Sequence, residues 1–240
     1  STARAILIMS TTDAKSSATS ASETDAINKW SSDLQRLKRN DPTLTSLHIT
    51  ADRARSVRRG GCYCPRQTED WQRLGEAIAT NTNVRRLDLI HLMYGPDVPS
   101  ANSIQVFCAN LNKNTSIRRL AFNLCGGEMF TLHMSQFLEN NTSLTSLSAT
   151  NYCLGLEGTR LLSSALARKS SSLKYLDLSS AGIGDEACQE LVMALRSGHS
   201  QLRSLELNGN TIQNAGCVAI ASLLRNPNSM LIRLYVDNNS

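Results

Sequence analysis

The sequence predicts an α/β solenoid, a curved horseshoe segment with parallel strands on its concave face and helices on its convex face. A hexamer of the form Leu-x-x-Leu-x-Leu recurs seven times, and the last three spacings between successive hexamers are each 29 residues. The composition agrees, since 41% of residues are hydrophobic, only 5% are aromatic and 33 of the 240 are Leu. A core built from one aliphatic side chain suits a stack of similar layers.

The repeating unit contains two periodicities. Apolar residues alternate within each hexamer, and this period of two indicates a short strand with one buried side. After the hexamer, small or apolar residues recur at intervals of four, as at Gly216, Ile220 and Leu224. This interval indicates one face of a helix. About seven strand–turn–helix repeats are therefore expected, with hexamers that begin at Leu44, Val84, Ile117, Leu144, Leu173, Leu202 and Leu231.

This unit resembles the leucine-rich repeat family, in its ribonuclease-inhibitor-like subtype, and the resemblance covers residues 41–240. It implies a leucine-rich-repeat solenoid with strands lining the concave wall. The family often places Asn or Cys at the turn after the strand, and Asn210, Asn239 and Cys125 match that position. Tyr152 and Ala181 do not match it, so an interruption of this ladder is expected there.

The ends and the insertions divide the chain. Residues 1–24 read as an irregular Ser/Thr/Ala-rich N-terminal extension, and residues 25–240 as the repeat domain. A capping helix is expected over 25–39. Long spacings mark insertions at 52–67 and 90–102, and insertions in repeat proteins map to loops that often bind partners.

The first insertion holds the excess positive charge. The chain has 25 Lys+Arg against 20 Asp+Glu, and residues 53–66 supply five Arg and no acid, so the remainder is formally neutral. Arg gives forked contacts to carboxylates and phosphates, which predicts a site for an acidic protein surface. A solvated loop is the alternative, and nucleic acid is disfavoured because stacking aromatics are few. The candidate residues are Arg53, Arg55, Arg58, Arg59 and Arg66.

The concave face is the second candidate site. The alternation places Ser46/His48, Arg86/Asp88, Arg119/Ala121, Ser146/Ser148, Tyr175/Asp177, Ser204/Glu206 and Arg233/Tyr235 outward. Arg and Tyr are favoured anchors in protein interfaces. The residues predicted to bind a partner are Arg86, Arg119, Tyr175, Asp177, Glu206 and Tyr235, and a polar wall without a partner is the alternative.

Catalytic and metal-binding patterns are weak. The four His show no catalytic spacing, and Cys62-x-Cys64 is shorter than the usual zinc pair and has no second pair. We therefore expect no enzyme activity, no cofactor and no metal. Cys188 and Cys217 occupy equivalent helical positions and are expected to be core or near-core thiols. Seven Cys, mostly in apolar segments, favour a reducing intracellular compartment, most simply the cytoplasm, with a cytoskeletal or organellar assembly open.

Asn81, Asn114 and Asn141 stand at one position before their strands. Asn at a turn bonds locally to the backbone, so we interpret them as helix-to-strand turns. Glycosylation is the alternative for Asn114 and Asn141, where Asn-x-Ser/Thr sequons occur.

The function predicted from these features is a non-catalytic protein–protein interaction module, a scaffold or accessory subunit of a larger assembly. The Ran GTPase activators have a similar repeat type, so a GTPase-activating protein is one alternative, and the sensor repeat region of a receptor is another. The chain stops after a strand, so we expect that it continues or that another subunit covers this C-terminal edge. No apolar run approaches the roughly 20 residues of a membrane span.

Overall fold

The computed structural model describes residues 21–50, 62–63, 67–90, 100–123, 128–151, 153–167, 172–197 and 200–239. Seven helices lie in these ranges: α1 (Ala21–Lys38), α2 (Thr68–Thr80), α3 (Ala101–Leu111), α4 (Glu128–Asn140), α5 (Gly155–Leu166), α6 (Asp185–Leu195) and α7 (Asn214–Leu224). Eight strands accompany them: β1 (Ser46–Thr50), β2 (Cys62–Tyr63), β3 (Arg86–Ile90), β4 (Arg119–Asn123), β5 (Ser146–Thr150), β6 (Tyr175–Asp177), β7 (Ser204–Glu206) and β8 (Arg233–Tyr235). None of these helices combines the length and the apolar character needed to cross a membrane.

The strands form one parallel sheet in the order β2-β1-β3-β4-β5-β6-β7-β8. Equivalent hexamer positions lie opposite each other from β1 through β8, so that Leu47 pairs with Leu87 and Leu176 with Leu205. This register confirms the predicted α/β array of about seven repeats. It follows from the alternation, because a slip by one residue would turn each hexamer's buried Leu to solvent.

The core lies between the sheet and the layer of helices. The middle Leu of each hexamer from Leu47 to Leu205 is almost fully buried, and it joins one continuous cluster with the apolar faces of the helices. Trp71 on α2 packs edge-on against Phe107 on α3 with ring centroids 5.2 Å apart. No unit buries its own apolar stripe, so each repeat is stabilised by its neighbours.

The helix-to-strand turns depend on buried Asn side chains, as predicted. The Oδ1 atom of Asn114 accepts the backbone N–H groups of Ser116 and Ile117, and its Nδ2 donates to the carbonyl of Ile78 in the preceding repeat. Asn141 repeats the acceptor pattern with the residues that follow it. Only 1% of Asn114 and 8% of Asn141 are exposed, so both amides are inaccessible to glycosylation in the folded chain.

A second set of Asn side chains lies after the strands of the last repeats. Asn210 accepts the N–H groups of Ala181 and Ile183 and donates to the carbonyls of Leu178 and Leu207. Asn239 donates in the same way to the carbonyl of Leu207. The predicted roles of these two residues are confirmed, whereas Cys125 and Tyr152 lie outside the described residues.

The bounds of three segments differ from those expected. Helix α1 begins at Ala21, four residues before the predicted helix over 25–39. The first insertion contributes a strand, β2, which pairs in parallel with the end of β1. Residue Ile90 still belongs to β3 and residues 101–102 to α3, so the second insertion is shorter than 90–102. Strand and helix residues therefore extend into both predicted insertions. Hydrophobic spacing alone does not show where this backbone hydrogen bonding ends.

The expectation that Cys217 is a core or near-core thiol is wrong, because Cys188 is buried but Cys217 is exposed. Cys188 lies beneath α7, and its Sγ is 3.7 Å from the Gly216 carbonyl oxygen. Helix α7 is the last helix described, so Cys217 has no following helix over it. Leu224 shows the same effect, since it is 55% exposed whereas Leu195 at the preceding repeat's equivalent position is 5% exposed. The covering of this edge by another chain stays a prediction.

Candidate functional site

The outer face of the sheet, the side that faces away from the helices, carries two registered rows of side chains. Row one contains Ser46, Arg86, Arg119, Ser146, Tyr175, Ser204 and Arg233. Row two contains His48, Asp88, Ala121, Ser148, Asp177, Glu206 and Tyr235. These rows have the membership predicted for the concave face, because side chains in parallel strands alternate with period two.

The N-terminal half of this face centres on Asp88. Its carboxylate lies 2.7 Å from Nδ1 of His48 and accepts hydrogen bonds of 3.0 and 2.9 Å from Nε of Arg86. Burial raises the pKa of Asp88, but the hydrogen bonds from His48 and Arg86 outweigh burial and hold the pKa below its usual value. Only 3% of Asp88 is exposed, although the alternation turns it outward. Its two partners cover it, so it orders His48 and Arg86 and presents little surface of its own.

Arg119 lies directly opposite Arg86 on the neighbouring strand. Its side chain is exposed, and within the described residues it has no carboxylate close enough for an ion pair. Like charges facing each other across a parallel pair are unfavourable. The guanidinium of Arg119 is therefore available to an anionic group from outside the chain.

The C-terminal half of the face combines phenols and carboxylates. The hydroxyl of Tyr175 donates to Oε1 of Glu206 at 2.9 Å, and the hydroxyl of Ser148 donates to Asp177 at 3.2 Å. Burial, followed by the hydrogen bond to Glu206, raises the pKa of Tyr175, so its phenol is protonated at neutral pH. Tyr235 is exposed on β8, next to Glu206 in the register. These bonds fix the orientation of three candidate binding residues, Tyr175, Asp177 and Glu206, before any partner arrives.

The candidate residues divide into two sets. Arg86, Arg119, Tyr175, Asp177, Glu206 and Tyr235 share the outer face of the sheet, and their roles in binding stay predictions. The five Arg of the first insertion, Arg53, Arg55, Arg58, Arg59 and Arg66, lie outside the described residues. Ser204 is predicted to face outward but is buried, since it stands between Tyr175 and Arg233 in the register.

A third row of side chains lies one residue before row one, and the alternation alone did not identify it. It contains Thr45, Arg85, Arg118, Thr145, Lys174, Arg203 and Ile232. The backbone N–H of each residue from Arg85 to Ile232 donates to the carbonyl of its predecessor in this row. The ladder therefore extends beyond the strand bounds and holds these residues in register. The Arg-Arg doublets at 85–86 and 118–119 are the sequence signal from which this row could have been predicted.

The two buried thiols, those of Cys108 and Cys188, are poorly suited to nucleophilic chemistry. Burial raises the pKa of Cys108 to about 12. Burial, followed by the nearby Asp185, raises the pKa of Cys188 to about 11. Thiolates are the reactive form, so both groups are inert at neutral pH. In the part of the chain that the structure describes, no three His, Cys, Asp or Glu side chains converge on a common point where a metal ion could bind.

The chain was compared with models of protein families, with curated proteins and with solved structures. A model of the leucine-rich repeat family matches residues 169–192 and 199–221. Similar solved structures include the tropomodulin C-terminal domain from Caenorhabditis elegans, with 11% identity, a TM-score of 0.43 and coverage of 81% of this chain and 90% of that chain. Leiomodin-1 actin-binding site 2 is also similar, with 17% identity, a TM-score of 0.36 and coverage of 81% of this chain and 87% of that one. No curated protein matches the sequence.

The repeat spacing, the registered parallel sheet and the family match agree. Both matched units contain the hexamer that recurs along the rest of the array, and the second of them also contains the buried Asn210. The chain therefore contains leucine-rich repeats, which the family model matches over residues 169–192 and 199–221.

Proposed function

We propose that this chain is a non-catalytic protein–protein interaction module, a scaffold or accessory subunit of a larger intracellular assembly, which binds its partner through the outer face of the sheet. The observation that carries the proposal is the registered row of exposed Arg and orientated Tyr side chains on that face. A rigid sheet that presents large side chains at fixed spacing loses little conformational entropy on binding.

The two halves of the face suit a partner that extends across several strands. Strands lie about 4.8 Å apart, so roughly 14 Å separate the Arg86 and Arg119 strands from those of Tyr175 and Glu206. Arg119 offers an unpaired guanidinium at one end, and Tyr235 offers an exposed aromatic ring at the other. Arg and Tyr contribute disproportionately to protein interfaces. An extended segment that lies across the strands reaches both.

To test the proposal, the immobilised chain is used to select binders from a library of displayed random peptides. Each peptide has about 12 residues, a length that spans the face. We expect the double variant Tyr175→Ala/Tyr235→Ala to bind the selected peptides about tenfold or more weakly than the wild type, because two aromatic anchors are removed. The matched control is Glu186→Ala/Gln189→Ala on the exposed side of α6, which should change affinity less than about twofold. Peptides that bind both double variants equally well would contradict the proposal.

Catalysis is checked separately with a panel of small GTPases. A non-catalytic module leaves their rate of GTP hydrolysis unchanged. Stimulated hydrolysis that disappears in Arg119→Gln would instead identify a GTPase-activating protein and overturn the non-catalytic assignment.

A further inference from the structure

We propose that a strip of cations along the beginnings of the strands binds an acidic, extended polypeptide segment. The basic strip consists of Arg85, Arg86, Arg118, Arg119, Lys174, Arg203 and Arg233. This inference rests on the proposed function. It adds the chemistry of the partner and the third-row cations Arg85, Arg118, Lys174 and Arg203, which the alternation of the sequence did not identify.

The geometry of the strip is fixed by the backbone. The N–H of Arg118 donates to the carbonyl of Arg85, and the N–H of Arg203 donates to the carbonyl of Lys174, each at 2.8 Å. In the adjacent row, Arg86 and Arg119 lie opposite each other on neighbouring strands. From β3 to β8 the strip crosses five strand steps, about 24 Å at the usual strand spacing. A single extended chain of eight or more residues matches this length.

Six of the seven cations of the strip have no acidic partner among the described residues, unlike several cations on the helices. Arg36 pairs with Asp33 and Asp41, and Arg160 pairs with Glu157 and Glu190, all on the helical side of the chain. Within the described residues the only ion pair of the strip joins Arg86 to Asp88. The side chains of Arg119, Lys174, Arg203 and Arg233 are exposed and have neither a hydrogen bond nor an ion pair to any described residue. Positive charge is therefore concentrated on one edge of a formally near-neutral array.

Bonds within the chain hold three of these side chains, because Arg86 binds Asp88 and two others bind backbone carbonyls. Arg85 donates from Nη1 to the carbonyl of Ser116 at 3.1 Å, and Arg118 donates to the carbonyl of Thr115 at 2.7 Å. These bonds hold the two guanidinium groups in place and leave their remaining N–H groups free. They do not involve Arg119, which faces Arg86 at an electrostatic cost. An external anion offsets that cost.

An acidic polypeptide fits the surroundings of the strip better than a nucleic acid or an anionic membrane. Asp177, Glu206 and Asp237 lie three or four residues after Lys174, Arg203 and Arg233 respectively. At the usual rise per strand residue, that places them about 10 to 13 Å away. A broad polyanion would meet these carboxylates as well as the cations. A single extended peptide is narrow enough to contact the cations without covering these carboxylates, and Arg forms bidentate bonds with the carboxylates of the peptide.

The test uses fluorescein-labelled deca-glutamate, whose extended length of about 33 Å spans the strip. Binding is measured by fluorescence anisotropy. Arg119→Gln/Arg203→Gln should weaken binding by about tenfold, because two unpaired cations are removed. The matched control Arg196→Gln/Arg225→Gln removes the same charge from exposed helix ends and should change affinity less than about twofold. Arg119→Lys/Arg203→Lys should retain binding close to that of the wild type, and circular dichroism confirms that each variant is folded.

Three results would overturn the inference. The first is an equal loss in the helix-end control, and the second is a loss confined to a variant with the five Arg between residues 53 and 66 changed to Ser. The third is tighter binding of decathymidylate or of phosphatidylserine vesicles than of deca-glutamate, which would indicate a nucleic acid or a membrane. Raising the salt concentration should weaken wild-type binding more than binding by the double variant.

The display library separates failure of this inference from failure of the proposed function. Selected peptides should be enriched in Asp and Glu and should bind Arg119→Gln/Arg203→Gln weakly. Peptides that depend on Tyr175 and Tyr235 but not on the strip would overturn the inference and leave the interaction module intact. Peptides that depend on neither would overturn both.

Discussion

Asp88 shows how neighbouring residues can reverse what a sequence pattern predicts for a side chain. The alternation places it on the outer face, but His48 and Arg86 cover it, and it is buried as an ionised carboxylate. A buried charge is tolerated only where it is paired and hydrogen-bonded. Its role is therefore to hold two neighbouring side chains, one of which is a candidate binding residue.

Replacing Asp88 with Asn should lower the free energy of unfolding by about 1 to 3 kcal/mol at pH 7, because an isosteric but neutral group binds His48 and Arg86 less strongly. The folded-state pKa of Asp88 is lowered, so its ionised form contributes stability above the unfolded-state value of about 3.9. That contribution is lost as the pH falls through the lower folded-state pKa. Urea denaturation from neutral to acidic pH measures it, and a difference between wild type and variant that stays constant over this range would contradict the assignment.

At the scale of the element, each repeat is completed by groups from the next one. Asn210 stands after β7, yet two of its hydrogen bonds go to the backbone N–H groups of Ala181 and Ile183 in the preceding repeat. Cys188 and Cys217 illustrate the same dependence through packing, since the first is covered by a following helix and the second is not. An isolated unit would leave such groups exposed to water.

Asn210→Ala should lower the free energy of unfolding by about 3 kcal/mol, since it leaves buried backbone groups without partners. The control is Asn226→Ala, which removes one hydrogen bond to Asn228 in an exposed turn and should cost less than about 1 kcal/mol. Chemical denaturation followed by circular dichroism measures both variants. Equal losses would show that the buried bridge does not couple the repeats.

At the scale of the whole molecule, charge is distributed unevenly between the two layers. The helices carry acids such as Glu157 and Glu190, and these pair with a helical Arg. The beginnings of the strands carry the basic strip, which has a single ion pair within the described residues. A net charge calculated from the composition averages these two surfaces and does not show the separation. Association with a charged partner depends on the local distribution.

Because Arg119 faces Arg86, Arg119→Gln should raise the free energy of unfolding by about 0.5 kcal/mol at low salt. The gain should shrink near about 1 M NaCl, where the Debye length falls to about 3 Å. Arg160→Gln is the control, since it removes a cation that has two acidic partners, and it should not stabilise the chain. Urea denaturation at low and high salt distinguishes the cases. A gain that is independent of salt would show that repulsion is not its source.

Much of the fold and part of the site could be predicted from the sequence. The hexamer spacing and its period of two predict the parallel register, because adjacent units must align their Leu side chains to bury them. The same alternation predicts that Arg86 and Tyr175 share one face. It does not predict the strand at Cys62–Tyr63, because that element depends on pairing with β1 and not on its own hydrophobic pattern.

The sequence by itself determined the repeat, the layer order and the local turns at Asn114 and Asn141, because these depend on short-range periodicity and on hydrogen bonds to residues close in the chain. The tertiary structure decided which outward residues are accessible. It buries Asp88 beneath partners from two strands and exposes Cys217 where Cys188 is covered. It also brings cations that are 118 residues apart, from Arg85 to Arg203, into one hydrogen-bonded row. Accessibility and clustering depend on the neighbouring repeats, and the spacing within one repeat cannot specify them.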